Sequence, residues 1–331
     1  RNPRAHVVGV DISEASLAHQ HRLKTRHRLD NLELQQLPIE SIAQLDRQFD
    51  LVVSTGVLHH MADPLAGLKA LAGVVRRDGA VALMLYARYG RTGVEALQQV
   101  FRDLGMQQDD ASLRIVRETM TIVPPDHPIQ PYRRLAEDLD YDAGLVDTFL
   151  HGRDRSYTVE DCLRLVSDAG LEFQCWYNND CYYPESCVPL ASSLYGALCA
   201  LPEPVLWATM ERLLPRNACH YFVARPVAHK VDFDVAQFLS YVPALRWTVR
   251  RDGDTVLKGA MRVPLDRTQQ LLLASTDGRR TVAEILVKTF GEAAATVTQP
   301  DLKTFALNFY RALWRLGVVA ISISNREPIA I

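Results

Sequence analysis

The feature that most limits how this chain can fold is a set of four short apolar runs spaced by helix-forming stretches: Val7-Val8-Gly9-Val10, Leu32–Leu34, Asp50–Ser54 and Ala80–Tyr86. Such runs suit strands covered on both faces. Ser13 predicts a helix through about Leu23, because its hydroxyl can accept an orphan backbone N–H. Asp63-Pro64 predicts another: Asp caps, and Pro at the first helical position loses no hydrogen bond. Leu65, Leu68, Leu71, Ala72 and Val75 give that helix one apolar face, and Asp78-Gly79 is expected to end it. Strand–helix–strand alternation with connections this short implies an α/β fold, a parallel sheet with helices on both faces. Ligands of such sheets bind beyond the carboxyl ends of the strands, here Asp11, Gln35–Pro38, Ser54–His60 and Tyr86–Gly90.

Beyond Gly93 the pattern is helical and partly irregular to about Asp154. Thr158 then caps a helix that Gly170 ends. Phe173–Tyr177 and Tyr221–Ala224 read as strands, with helices over Leu190–Leu201 and Val205–Leu214 between them. Pro226 is expected to close a first domain, 1–226, and 227–331 to form a second. In the second, Trp247–Val249 and Thr255–Leu257 flank Arg251-Asp252-Gly253-Asp254, a hairpin signal. Helices over Asp266–Ser275, Val282–Phe290 and Asp301–Leu316 and a strand at Val318–Ile323 follow, with a capping box at Thr281–Glu284.

A net charge of -2 gives no global electrostatic case for nucleic acid or an anionic membrane. No apolar run approaches the ~20 residues of a membrane span, and a cytoplasmic protein is expected. None of the six cysteines forms a C-x-x-C pair; the even spacing of Cys175, Cys181 and Cys187 is the one hint of a cluster, and no metal site is expected. The chain begins with Arg1 and enters a core-type strand almost at once, so it reads as starting inside a fold.

The most specific signal is Phe49-Asp50-Leu51-Val52-Val53-Ser54-Thr55-Gly56-Val57-Leu58-His59-His60-Met61-Ala62-Asp63-Pro64, followed by Arg77-Asp78-Gly79-Ala80-Val81. It resembles the class I S-adenosylmethionine-dependent methyltransferases, whose fourth strand, V-L-H-H-h-x-D-P loop and P-x-G-x-h turn it matches except for the proline. The resemblance covers residues 5–90 and extends to Pro226. It implies a Rossmann-like sheet of order 3-2-1-4-5-7-6 with an antiparallel last strand. The family's first strand and glycine-rich loop would precede Arg1, so the residues present are expected to bind the cofactor poorly. Carried over, the cofactor S-adenosyl-L-methionine would have its ribose held by Asp11 and its adenine packed by Ile12 in a pocket lined by Gln36 and Leu37, where Gln36 or a backbone group would bond the exocyclic amine. Thr55, Gly56 and Val57 would face the methionyl and sulfonium region. His59 or His60 would serve as general base for a protonated acceptor, each alternatively a packed loop histidine. Tyr86, Arg88, Arg91 and Arg155 would lie on the substrate side, the arginines gripping an anionic group or simply decorating the surface. The segment 151–158 is a candidate lid, and Asp180, Tyr182 and Tyr183 are further substrate-side candidates.

Residues 262–323 resemble the winged-helix peptide-chaperone domain of pyrroloquinoline quinone biosynthesis, and the accessory domain called regulatory in some bacterial methyltransferases. That resemblance implies a partner, peptide or second copy held through 227–331. DNA binding is disfavoured: 14 Lys/Arg stand against 10 Asp/Glu there, and the third helix is mostly apolar. Three functions stay open: methyl transfer to a small molecule, protein or peptide; a degenerate fold that only binds a partner; and a dehydrogenase, which also uses a strand-end Asp but does not account for the Leu58–Pro64 loop.

Overall fold

A computed structural model describes residues 4–291 and 300–323. The chain divides into two compact units, 1–173 with 219–228, and 174–218 with 229–331.

In the first unit, β1 (Val7–Asp11) pairs in parallel with β2 (Leu32–Gln36) across α1 (Glu14–His27). Ser13 caps α1 by accepting from Ser16 N, and Arg28 ends it in the left-handed region. β3 (Phe49–Thr55) pairs in parallel with β4 (Val75–Tyr86) across α2 (Pro64–Gly73), whose Asp63 cap accepts from Ala66 N. Leu68 and Leu71 of α2 are buried. β6 (Cys219–Arg225) lies antiparallel to β4, and β5 (Glu172–Trp176) completes the order β3-β4-β6-β5. The unit boundary falls within β5, after Phe173, which stacks on Phe222 of β6. Helices α3 (Thr92–Asp103), α4 (Asp110–Ile122), α5 (Ile129–Arg133), α6 (Asp142–Leu145) and α7 (Val159–Asp168) fill the stretch between β4 and β5.

β1–β2 form one sheet and β3-β4-β6-β5 another, and each neighbouring pair is one that the expected order contains. One expectation is corrected. The helix was to run to Val75 and turn at Asp78-Gly79; instead α2 stops at Gly73 and β4 already begins at Val75. Phe49 draws the chain into the sheet early, donating its N–H to Val74 O at 2.8 Å and pairing with Val75. The register then jumps to Leu51–Ala80, so residues 76–79 form a bulge. Arg225 fastens it by donating to the carbonyls of Asp78 and Gly79. A Cβ at Gly79 would sit 2.9 Å from Asp50 O, which is why glycine stands there.

The second unit contains α8 (Ser193–Cys199), α9 (Glu203–Leu213), α10 (Val235–Phe238), β7 (Val242–Leu245) and an antiparallel sheet of β8 (Val249–Asp252), β9 (Thr255–Lys258) and β10 (Met261–Pro264). α11 (Arg267–Ser275), α12 (Val282–Phe290), α13 (Pro300–Arg315) and β11 (Val319–Ser322), which pairs with β7, complete it. Its core gathers Leu272, Ile285, Leu286, Tyr310 and Val318. Residues 174–218 belong to this unit rather than to the first because polar ties hold them there. Lys258 Nζ binds Asp180 at 2.7 Å, Arg315 binds Glu185 at 2.7 Å, and Asn179 donates to Trp314 O at 3.0 Å. Tyr182 stacks on Trp176, and Tyr183 donates to Glu203. Asp180, Tyr182 and Tyr183 are therefore packing and pairing residues of the second unit.

Candidate functional site

A cavity of about 760 Å3 in the first unit runs along β1 and β3 to their carboxyl ends and to the segment that follows β2. Its walls include Val8–Ile12, Leu37–Glu40, Leu51–Thr55 with Val57 and His60–Ala62, and His151 with Arg153, joined by Gln20, Ile42, Leu45, Phe49 and Leu71. β1 and β3, each with one edge that has no partner strand among the described residues, both line it. Leu51 and Val53 on β3 are 58% and 62% exposed, unusual for apolar residues of a parallel strand.

Asp11 stands at the tip of β1 and lines the cavity. Its Oδ1 accepts from Ser13 N at 2.8 Å, which orients the carboxylate and leaves Oδ2 to accept from a bound hydroxyl. Ile12 presents an exposed apolar side chain to the same space, and Leu37 and Ile39 face it from the other strand end. A carboxylate beside flat apolar walls suits a sugar diol joined to an aromatic base. Gln36 does not line the cavity; its Nε2 donates to Ile12 O at 3.2 Å and so steadies the turn after β1. Thr55 and Val57 line the cavity. Gly56 does not, but it turns the chain with φ +73°, a conformation that favours glycine.

The two histidines separate. His59 is 1% exposed, stacked on Tyr86 at 3.8 Å, with neither ring nitrogen hydrogen-bonded. Burial, reinforced by His60 nearby, lowers its pKa to about 3, so it is neutral at ordinary pH. His60 lines the cavity, and its Nδ1 lies 2.8 Å from Arg153 O. A carbonyl only accepts, so Nδ1 carries the proton and Nε2 of the neutral ring keeps its lone pair.

Tyr86 ends β4 outside the cavity lining, buried between His59 and the Arg91 guanidinium, which is 3.6 Å from the ring centroid. Groups this close to one centroid occupy opposite faces. Its hydroxyl donates to Asp147 Oδ2 at 3.3 Å, and burial together with Asp147 raises its pKa, so it stays a phenol. Arg91 is fully buried, paired with Asp154 at 2.9 Å and bonded to Tyr132 Oη at 3.0 Å. Burial opposes its charge, but Tyr132, Asp154 and Tyr86 more than offset that. Arg91 thus has an internal partner and does not line the cavity. Arg88 and Arg155 are exposed and also lie outside the lining, Arg88 donating to Ser156 O at 3.4 Å. Among the described residues no group of His, Cys, Asp and Glu comes together as a metal site, and none of the six cysteines is in a disulfide.

Residues 1–81 match a family of methyltransferase domains. PKMT2 from Rickettsia typhi, solved alone and in complex with AdoHcy, superposes on 96% of this chain at a TM-score of 0.66 and 11% identity, spanning 66% and 67% of those chains. The first unit has the class I methyltransferase fold. A protein of Synechococcus named uncharacterized protein syc1184_c is 30% identical over 239 residues, 70% of this chain and 57% of its own length. The ubiquinone biosynthesis O-methyltransferase of Acinetobacter baumannii is 33% identical over 78 residues, 23% of this chain and 33% of that enzyme. The chain thus spans about a third to two thirds of the proteins it matches. Among the described residues no helix is long and apolar enough to cross a membrane. Of the cavity residues, Pro38 lies in a strand end and His151 and Arg153 in the candidate lid that the sequence pointed to, whereas Gln20, Ile39, Glu40, Ile42 and Leu45 carry no local signal. His151 and Arg153 reach the cavity from about 90 residues further along the chain.

Proposed function

We propose that this chain serves S-adenosylmethionine-dependent methyl transfer to an oxygen, nitrogen or carbon of a small molecule, protein or peptide. What carries the reading is the meeting of Asp11, Ile12, Leu37, Thr55, Val57 and His60 around one cavity at the strand ends. S-adenosylmethionine, when bound, supplies a methyl group on a sulfonium, whose departure leaves a neutral thioether. The chain's own work is then alignment and exclusion of water. Asp11 accepts from the ribose hydroxyls, while Ile12 and Leu37 pack on the adenine. Thr55 and Val57 border the reacting end. His60 takes the proton from a hydroxyl or ammonium acceptor at Nε2, and His59, held neutral and buried, supports the loop. Asp154 neutralises Arg91, so an anionic acceptor group would meet Arg153 instead. The second unit is proposed to hold the partner or peptide.

The test is incubation with isotopically labelled S-adenosylmethionine and host extract, followed by mass spectrometry for the methyl increment, with His60→Gln alongside. Labelled products that fall sharply with His60→Gln support the reading. Binding of S-adenosylhomocysteine without any transfer would make the chain a binding module. Binding of NAD in its place would make it a dehydrogenase.

A further inference from the structure

The strap 151–155 forms one wall of the cavity through His151 and Arg153, yet most of it is exposed. Its ends are tied by backbone: Gln108 donates to Leu150 O at 3.2 Å, Tyr157 N donates to Tyr86 O at 2.8 Å, and Arg88 N donates to Tyr157 O at 2.9 Å. Between those ends one side chain turns inward. Asp154 is 6% exposed and meets the Arg91 guanidinium at 2.9 Å and Gln98 Nε2 at 2.6 Å. Arg91 is itself fixed by Tyr132 and by Tyr86. The residue before this anchor is Arg153, whose carbonyl accepts from His60 Nδ1.

We propose that Asp154 is a positioning residue: by clasping Arg91 it fixes the Arg153 carbonyl against His60, and so presents the His60 Nε2 lone pair to the cavity. The role assigned to that lone pair rests on the methyl-transfer reading; the clasp does not. An imidazole's tautomer follows the hydrogen bond its other nitrogen makes. A carbonyl held in place selects Nδ1–H, whereas a wandering one selects nothing. The groups facing His60 are His59 at 4.3 Å, His151 at 4.1 Å and Tyr86 at 5.6 Å between ring centroids, with Arg153 beside it. His151 Nδ1 lies against the same carbonyl and 3.1 Å from Arg153 N, so both rings depend on the strap's position.

The experiment is imidazole 15N NMR on the full chain, with the His60 signals assigned by His60→Gln, in wild type and Asp154→Asn. The wild type is expected to show the Nδ1–H pattern. Folded Asp154→Asn is expected to lose it, with protonation moving to Nε2. A folded Asp154→Asn protein that keeps the Nδ1–H pattern overturns the proposal. If Asp154→Asn does not fold, Arg91→Gln, which removes the clasped guanidinium and leaves Asp154 its bond from Gln98, decides by the same shift or its absence. Titration of the same samples with S-adenosylhomocysteine separates the two claims. A tautomer shift without ligand response leaves the clasp standing and removes the methyl-transfer reading; ligand response without a tautomer shift does the reverse.

Discussion

His59 makes the unit that holds the cavity sensitive to acid, and the size of the effect can be worked from its setting. Its pKa falls from 6.5 to about 3 on burial against Tyr86. Between those values the unfolded chain binds a proton that the folded one refuses, so stability rises with pH through that window. Above pH ~6.5 the cost is absent, and below pH ~3 it is complete. At pH 5 the deficit is about 1.5 log units, or ~2 kcal/mol. His59→Phe keeps a ring on Tyr86 and removes both the proton site and two unpartnered nitrogens. The assay is amide hydrogen exchange of the β4 peptides at pH 7.5 and pH 5, corrected for intrinsic rates. The wild type should lose about thirtyfold more protection than His59→Phe on going to pH 5, and at pH 7.5 the variant should be no less stable. Equal pH dependence in the two proteins would refute the assignment of His59 as a buried neutral ring.

A Cβ at Gly93 would lie 2.2 Å from Ile129 N and 2.3 Å from Pro128 C, so Gly93→Ala must push α5 off α3. It should cost ~1–3 kcal/mol or more, seen as lost exchange protection over both helices. Gly73→Ala, with nothing within 4 Å, is the control and should be neutral or slightly stabilising. In the second unit Glu185 accepts from Arg315 and from Tyr195, with little exposure on either side of the ion pair. Glu185→Ala should cost about 3 kcal/mol, and adding Arg315→Met should recover much of it. Urea unfolding by tryptophan fluorescence reads this directly, since Trp176, Trp207, Trp247 and Trp314 all lie in that unit.

The elements written by neighbouring residues were legible in the sequence. Ser13 and Asp63-Pro64 begin α1 and α2 as their capping chemistry dictates, and the apolar runs are strands with the expected pairings. The early start of β4 was not legible, because it depends on Phe49 capturing the backbone at Val74 and on Arg225 reaching back to the bulge. Within the cavity, strand ends told where Asp11, Leu37, Thr55 and His60 would meet. His59 and His60 are adjacent and chemically identical in sequence; Tyr86, which stacks on the first, and the carbonyl of Arg153, 93 residues from the second, distinguish them. Arg91 reads as a surface cation until Asp154 folds over it. Gln36 reads as a base-binding amide until its bond to Ile12 is seen. Each of these depends on a partner distant in sequence, to which local pattern is blind.

The most direct measurement is an amide NMR titration of this chain with S-adenosylhomocysteine into the millimolar range, where weak binding is still visible, with NAD as comparator. Shifts clustered at Asp11, Ile12, Leu37 and Thr55 that disappear in Asp11→Ala, with no such cluster from NAD, are what the account predicts. Shifts scattered elsewhere, an unchanged response in Asp11→Ala, or a matching cluster from NAD would contradict it.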